Sequence, residues 1–403
     1  MWDSPTLRTV VIYGASGLGF AGANLILARF LPTTEYALFT LYIALANLSF
    51  ALAPVGVDGM VQRHHFDAGP GLLKRTLGAG LVIGLGTILV GGLAYHLPSA
   101  LLILVFASTV GGGAMAVAGA QFQSEQRYGL SLALTQSPNL MLMVAALAVI
   151  VTGIREAHLA LVISSVGFVL AGIIGWWILF RERASKPSRG TQFPWTEALS
   201  IFGVSAAGLL LVQLDRLIIP HVLSLHDLAT FGVLAAIVGS LYRVLSMGVG
   251  YTLVARLRAA GSVTERRHLI AHEAKLVSAI VIAGSVAIWF LTPLIERVFL
   301  AGKYHLGPSL LAAAVFSGIA KIMNSFTKST VTALATASEV SIVNLVGWMS
   351  VGIAIGAAIF GARWGLAGVI YGVGLGWLVR ALAAFYLTLH HLKLPDSVPV
   401  AAQ

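Results

Sequence analysis

The chain has 403 residues, of which 58% are hydrophobic and only 10% charged, with a mean hydropathy of +0.91. A soluble domain carries roughly 25% charged residues, so this composition excludes a soluble globular fold. The absence of cysteine excludes a disulfide framework and any thiolate ligand or nucleophile, and the net charge of +10 has to be read by position.

Twelve apolar runs follow one another along the chain, and a hydrocarbon core of about 30 Å is crossed by roughly 20 helical residues. The first, 10–30, reads VVIYGASGLGFAGANLILARF, close to the glycine fingerprint of a dinucleotide-binding unit. That fingerprint has meaning only between a strand and a helix of a parallel sheet. Here every neighbouring segment reads as a span, so Gly14, Gly17, Gly19 and Gly22 are expected to form a helix-packing face. A run of full span length without a small-residue cleavage pattern acts as its own insertion signal.

Runs at 37–57, 76–97 and 99–120 follow. The fifth, 130–152, carries Gln136 and Asn139 on either side of Pro138; with Asn24 and Asn47 these are the polar groups of the first half. Each suits either an interhelical hydrogen bond or a polar path for sugar hydroxyls and water. After the sixth run, 158–180, the linker 181–197 carries four basic residues and two prolines.

The second half continues with 198–220, holding Asp215 and Arg216, then 228–253 with Arg243, 274–295, 307–327 with Lys321, 338–361, and 365–389 with Arg380. The predicted fold is an all-α polytopic membrane protein. Six-helix lobes at 1–180 and 198–391, related by a parallel pseudo-two-fold repeat, are joined by the linker and followed by a tail, 392–403. A weak internal echo supports the repeat. Leu27, Ala28, Arg29 precede Glu35, Tyr36, Ala37, Leu38, Phe39, as Leu214, Asp215, Arg216 precede Asp227, Leu228, Ala229, Thr230, Phe231, with a spacing five residues longer.

Alternate loops divide the 25 Lys and Arg unequally: sixteen on one side, Lys328 among them, five on the other and four within spans. The positive-inside rule then predicts cytoplasmic termini. Basicity is thus an orientation signal first and an attraction to anionic lipid headgroups second, and nucleic-acid binding is not expected. No phosphate-loop motif occurs, and the histidine pairs His64/His65 and His390/His391 have no acidic partners at metal-ligand spacing, so no metal or cofactor is expected.

A charge at a helix centre costs roughly 2.5–3.5 kcal/mol on insertion scales and marks a water-filled cavity or a partner. Arg29, Lys275 and Glu339 lie near span ends, where long side chains snorkel. Arg243, Lys321 and Arg380 fall mid-span, while Asp215 and Arg216 lie toward the end of their run. Neighbours on a helix point about 100° apart, so Asp215 and Arg216 each look to other helices. Four cations facing one carboxylate predict a positive cavity suited to phosphate or diphosphate, whose paired oxygens guanidinium geometry matches.

The segment Asn24 to Leu31, NLILARFL, followed by Glu35, Tyr36 and Ala37, together with the Asp215-Arg216 step, resembles the polysaccharide transporters. These are the O-antigen and lipopolysaccharide-biosynthesis flippases of the multidrug/oligosaccharidyl-lipid/polysaccharide exporter superfamily. Ala37 stands where that pattern usually has glycine. The resemblance implies a non-enzymatic, alternating-access flippase of a bacterial inner membrane, carrying undecaprenyl-diphosphate-linked oligosaccharide or exopolysaccharide units. It further implies that Arg243, Lys321 and Arg380 grip the diphosphate while Asp215, Arg216, Asn24, Gln136 and Asn139 contribute to the polar path. The pathway's polymerase and glycosyltransferases are candidate partners. Three rivals remain: a cation-coupled drug exporter, which would be expected to hold a carboxylate in the first lobe; a lipid II flippase, which usually has two more helices; and a membrane polymerase or ligase, which needs larger outer loops.

Overall fold

The computed structural model describes residues 5–64, 66, 68–183, 193–240, 242, 253, 257, 260, 262–334 and 337–393. Among them every regular element is helical. In order these are α1 (Pro5–Phe30), α2 (Thr33–Leu52), α3 (Val57–His64), α4 (Pro70–Leu93), α5 (Ser99–Ser124), α6 (Tyr128–Thr152) and α7 (Ala157–Arg183). Then come α8 (Trp195–Val222), α9 (Leu225–Leu234) running into a π-helical segment (Ala235–Gly239), α10 (Val263–Val298), α11 (Pro308–Leu334), α12 (Ala337–Gly361), a 3-10 turn (Ala362–Trp364) and α13 (Gly365–Lys393). Nine helical segments among these residues are long and apolar enough to cross a membrane, the last running from Ser341 to His390 through both α12 and α13. The protein is a multi-pass membrane protein. One face of α4 exposes Val82, Leu85, Leu89 and Leu93, each at 60% or more, an arrangement stable only where lipid is the solvent.

Proline and capping residues set the helix starts. Pro32, Pro98 and Pro194 stand at the N-caps of α2, α5 and α8, and Pro70 opens α4, positions where a missing N–H costs nothing. Ser224 and Asp227 close a reciprocal capping box on α9, which satisfies two amides left over at the helix start. Polar first turns lie outside an apolar window, and so most of the helices begin earlier than the runs predicted. The largest case is α10, which begins eleven residues before the expected 274.

Two expectations are corrected. The second run does not continue to 57: α2 ends at Leu52, and the chain turns through Val55 and Gly56 at positive φ before α3 begins. The apolar string Ala51 to Val57 masks this break, which Pro54 and Gly56 produce. Lys328, expected in the loop beyond the tenth run, lies inside α11, six residues before its end. The nucleotide fingerprint is part of one continuous helix. Gly19 and Gly22 of that helix face Asn139 and Met143 of α6, which is the close packing expected of its glycine face. The eighth run is described only in part, as α9 and its π segment. The linker 181–197 falls largely outside the described residues, as does the tail 394–403.

The chain forms two compact units, residues 1–236 and 237–403. In the first, α5 packs against α2, α3, α4, α6 and α7, while α1 lies on α6 and α8 and α9 lie on α2. A Cβ on Gly172 would stand 2.6 Å from the carbonyl oxygen of Gly111, so α5 and α7 touch backbone to backbone. Three helices meet at Tyr42, whose hydroxyl lies 3.1 Å from Ser108 Oγ and 2.5 Å from Ser165 Oγ. In the second unit α11 and α12 both pack against α13. There Gly361 and Gly368 leave no room for a side chain: a Cβ on either would lie 2.0 to 2.2 Å from the other's carbonyl oxygen.

Candidate functional site

The polar residues of the first unit gather where α1 meets α6. Ser16 Oγ donates to Gln136 Oε1 at 2.7 Å, and Asn139 Nδ2 donates to Ser16 Oγ at 2.8 Å and to Gln136 Oε1 at 3.0 Å. Pro138, between the two amides, lies inside α6; the carbonyl that its missing N–H leaves free adds polarity to this stretch. Gln136 and Asn139 are thus brought together. Asn24 is not part of the cluster: it is buried and donates to Phe20 O of its own helix at 2.8 Å. Sequence reasoning missed Ser16, whose signal was a hydroxyl within the glycine face of α1.

Asp215 and Arg216 diverge on α8 as their spacing requires. Asp215 is 1% exposed, with both carboxylate oxygens buried. Arg216 is half-buried; its Nη1 donates to Gln213 Oε1 one turn back at 3.0 Å, and its guanidinium lies 6.0 Å from the Phe231 ring of α9. The two segments of the internal echo end their helices differently. Arg29 stands one residue before the end of α1 and Arg216 six before the end of α8. The five extra residues in the second copy therefore lengthen its helix. Glu35, counterpart of Asp227, accepts from Ala157 N at 2.8 Å, tying the start of α2 to the start of α7.

In the second unit, Lys321 lies half-buried on α11 and Arg380 is buried on α13, 4% exposed. Arg243 lies outside the described residues. Lys328 is a further cation on α11, six residues before its end. Ser317, Lys321, Asn324 and Lys328 follow at intervals of four, three and four, a single polar stripe on a 3.6-residue helix. That spacing is legible in the sequence only once Lys328 is counted within the helix rather than in the loop beyond it. The only acidic residue on α11, α12 and α13 is Glu339, in the first turn of α12.

A further polar cluster surrounds α3. Glu197, in the first turn of α8, binds Arg63 Nη1 and His64 Nε2, each at 3.0 Å, while Phe193 packs on Phe66 and under the Arg75 guanidinium. Asp58 of α3 sits between Gly56 and Gly59, which face Ala198 and Ile201 of α8. Burial pushes its carboxyl up from the ordinary range, opposed by the amides of Gly59 and of Asp58 itself. An aspartate with a raised folded-state value loses stability as pH rises through that value, and acid restores it. Asp58→Asn should therefore melt higher than wild type at neutral pH and lose that advantage in acid. An equal gain at every pH would show that charge burial is not the cause.

No protein-family model and no curated protein sequence matches the chain. Solved structures do. A multidrug resistance MATE family transporter of the MOP superfamily, in an inward-facing conformation, is similar with a TM-score of 0.67 at 12% identity, covering 95% of this chain and 98% of its own. The lipid II flippase MurJ, in an inward closed conformation, is similar with a TM-score of 0.64 at 12% identity, covering 94% and 87%. A MATE transporter in complex with MaD3S gives 0.62 at 14% identity, covering 96% and 95%. At such identities the likeness is one of fold, and along nearly its whole length this chain has the fold of the MATE and MurJ transporters.

Proposed function

We propose that this protein is a flippase for lipid-linked oligosaccharides, moving a polyprenyl-diphosphate sugar unit across a bacterial inner membrane by alternating access. The observation that carries the reading is the cationic character of the second unit's helices. Arg380 is buried on α13 with its Nη1 lacking a hydrogen-bond partner among the described residues, Lys321 and Lys328 lie on the neighbouring α11, and a buried guanidinium at membrane depth suits an anionic ligand. The fold of MATE and MurJ transporters supports transport as the class of activity. In this reading the chain has twelve spans with both termini cytoplasmic, six-helix lobes at 1–180 and 198–391 rock about the linker 181–197, and the tail 392–403 stays in the cytoplasm. Arg243, Lys321 and Arg380 hold the diphosphate, Arg216 and Asp215 flank the path, and Gln136, Asn139 and Asn24 meet sugar hydroxyls. The pathway's polymerase and glycosyltransferases work beside it.

The test is flipping of a fluorescent lipid-diphosphate oligosaccharide in proteoliposomes of the intact protein and of Arg243→Ala, Lys321→Ala and Arg380→Ala. Each variant should lose roughly tenfold or more of the rate, the scale of one charge-assisted contact, while remaining folded and correctly inserted. A well-folded protein that flips no such lipid, with or without a proton or sodium gradient, would overturn the reading. The second reading is a cation-coupled multidrug exporter, favoured by the buried Asp215 carboxylate. It expects gradient-driven uptake of a cationic dye that Asp215→Asn abolishes.

A further inference from the structure

The lipid-facing stripe of α4 begins on a cation. Lys74, Gly78, Val82, Leu85, Leu89 and Leu93 succeed one another at intervals of three or four residues, which is one face of a 3.6-residue helix, and all six are exposed. At 1.5 Å per residue the rise from Lys74 to Leu93 is about 28 Å, close to the roughly 30 Å of a hydrocarbon core. A bilayer that wets the apolar stripe therefore puts Lys74 at its headgroups. Arg75 is held at the same level: its guanidinium lies 5.1 Å from the Phe193 ring, which meets Trp195 edge-on at 4.8 Å. Trp195 is 41% exposed, and an exposed indole of this kind settles at the headgroup level, so α4 and the start of α8 mark one boundary.

The protein does not balance the charge at this spot. Glu197, the carboxylate of the cluster, is engaged by Arg63 and His64, α4 has no acidic residue, and among the described residues Lys74 and Arg75 have no ion-pair partner. The start of a helix favours negative charge, and this one carries two cations. Below them the surface is wholly apolar, so the occupant is anionic at one end and apolar at the other. An acidic protein does not meet both conditions, whereas a phospholipid does. Gly78 adds a notch: nothing lies within 4 Å of where its Cβ would stand, and it sits about 6 Å along the helix from Lys74, at the depth of a lipid's glycerol.

We infer that the start of α4 binds a phospholipid of net negative charge, its phosphate between Lys74 and Arg75 and an acyl chain along Val82 and Leu85. The site is independent of what the protein carries across the membrane. The chain has no cysteine, so a bimane fluorophore on Leu81→Cys, two turns from Lys74 and 45% exposed, reports the lipid at this place. Its quenching is measured for the full chain in bilayers containing brominated phosphatidylglycerol or brominated phosphatidylcholine. The anionic lipid should be preferred roughly tenfold. Lys74→Gln should lower that preference about fivefold, the worth of one basic side chain at an anionic surface, and Lys74→Gln with Arg75→Gln should bring the two lipids to parity. Salt at about 1 M, where the Debye length falls to roughly 3 Å, should also weaken it. A bimane on Leu89→Cys, 60% exposed farther along the same stripe, should show no preference.

The inference is overturned if the Leu81→Cys probe is quenched equally by both lipids, or if its preference survives the loss of both cations. Lys74 is exposed and unpaired among the described residues, so Lys74→Gln should melt as wild type does and decides the matter alone should Arg75→Gln, which leaves the Phe193 ring uncovered, impair folding. Reversal of the preference by glycerophosphate in solution would assign the cations to a free anion and overturn the lipid site as well.

Discussion

Replacing Gly368 by leucine should leave little folded protein and no transport. Gly361 of α12 and Gly368 of α13 face each other so closely that a single Cβ on either would stand 2.0 to 2.2 Å from the opposing carbonyl oxygen. Gly372 repeats the contact one turn on, where a Cβ would lie 2.4 Å from Ala358 N. Backbone cannot swing aside as a side-chain tip can, so the two helices must separate. Lipid provides no hydrophobic force to draw them back, since their association rests on close packing. Overpacking alone costs about 1–3 kcal/mol, and here the displacement extends along α13 to Trp377 and Arg380. Gly356→Leu is the control, on the same α12 but with open space around it. Size-exclusion profiles and thermal melts in detergent should separate the two variants sharply. Equal stability of Gly368→Leu and Gly356→Leu would show that α12 and α13 do not meet as described.

Gly56→Ala, a change of one methyl group, is expected to be nearly as damaging. The residue combines two constraints. Its φ of +80° is one that a side chain raises by roughly 1–2 kcal/mol, and its Cβ would fall 2.0 Å from Ala198 O at the start of α8. The neighbouring Gly59 would meet Ile201 at 2.7 Å. Together they let α3 turn back from α2 and lie on α8, where Arg63 and His64 engage Glu197. The substitution should therefore cost about 3 kcal/mol or more in total and lower the melting temperature by several degrees. Gly86→Ala, at an exposed glycine of α4 with nothing near it, should change little. A Gly56→Ala protein that melts with wild type would remove the proposed contact between α3 and α8.

The spans were legible because membrane insertion is decided locally. Each segment of roughly 20 apolar residues satisfies its own backbone hydrogen bonds and must be helical wherever its neighbours lie. The glycine face of α1, the helical form of the fingerprint segment and the polar character of the fifth run all follow from such local rules. Less local features were misread for identifiable reasons. Pro54 and Gly56 break a helix inside an uninterrupted apolar run, and the charged first turns of α10 lie outside any hydrophobic window although the helix continues through them.

What the tertiary structure alone decided is which polar side chains are neighbours. Sequence placed Gln136 and Asn139 one turn apart, but their joining to Ser16 depends on α1 lying against α6. It set Lys321 and Arg380 mid-span as equals, whereas the packing of α11 on α13 buries Arg380 and leaves Lys321 half-buried. Hydropathy and charge counts fix where a helix crosses lipid, because solvation acts on each segment separately. The angle at which a side chain leaves its helix, and what it then meets, is set by the close approach of glycines such as Gly361 and Gly368, and that is a property of pairs of helices, absent from any one of them.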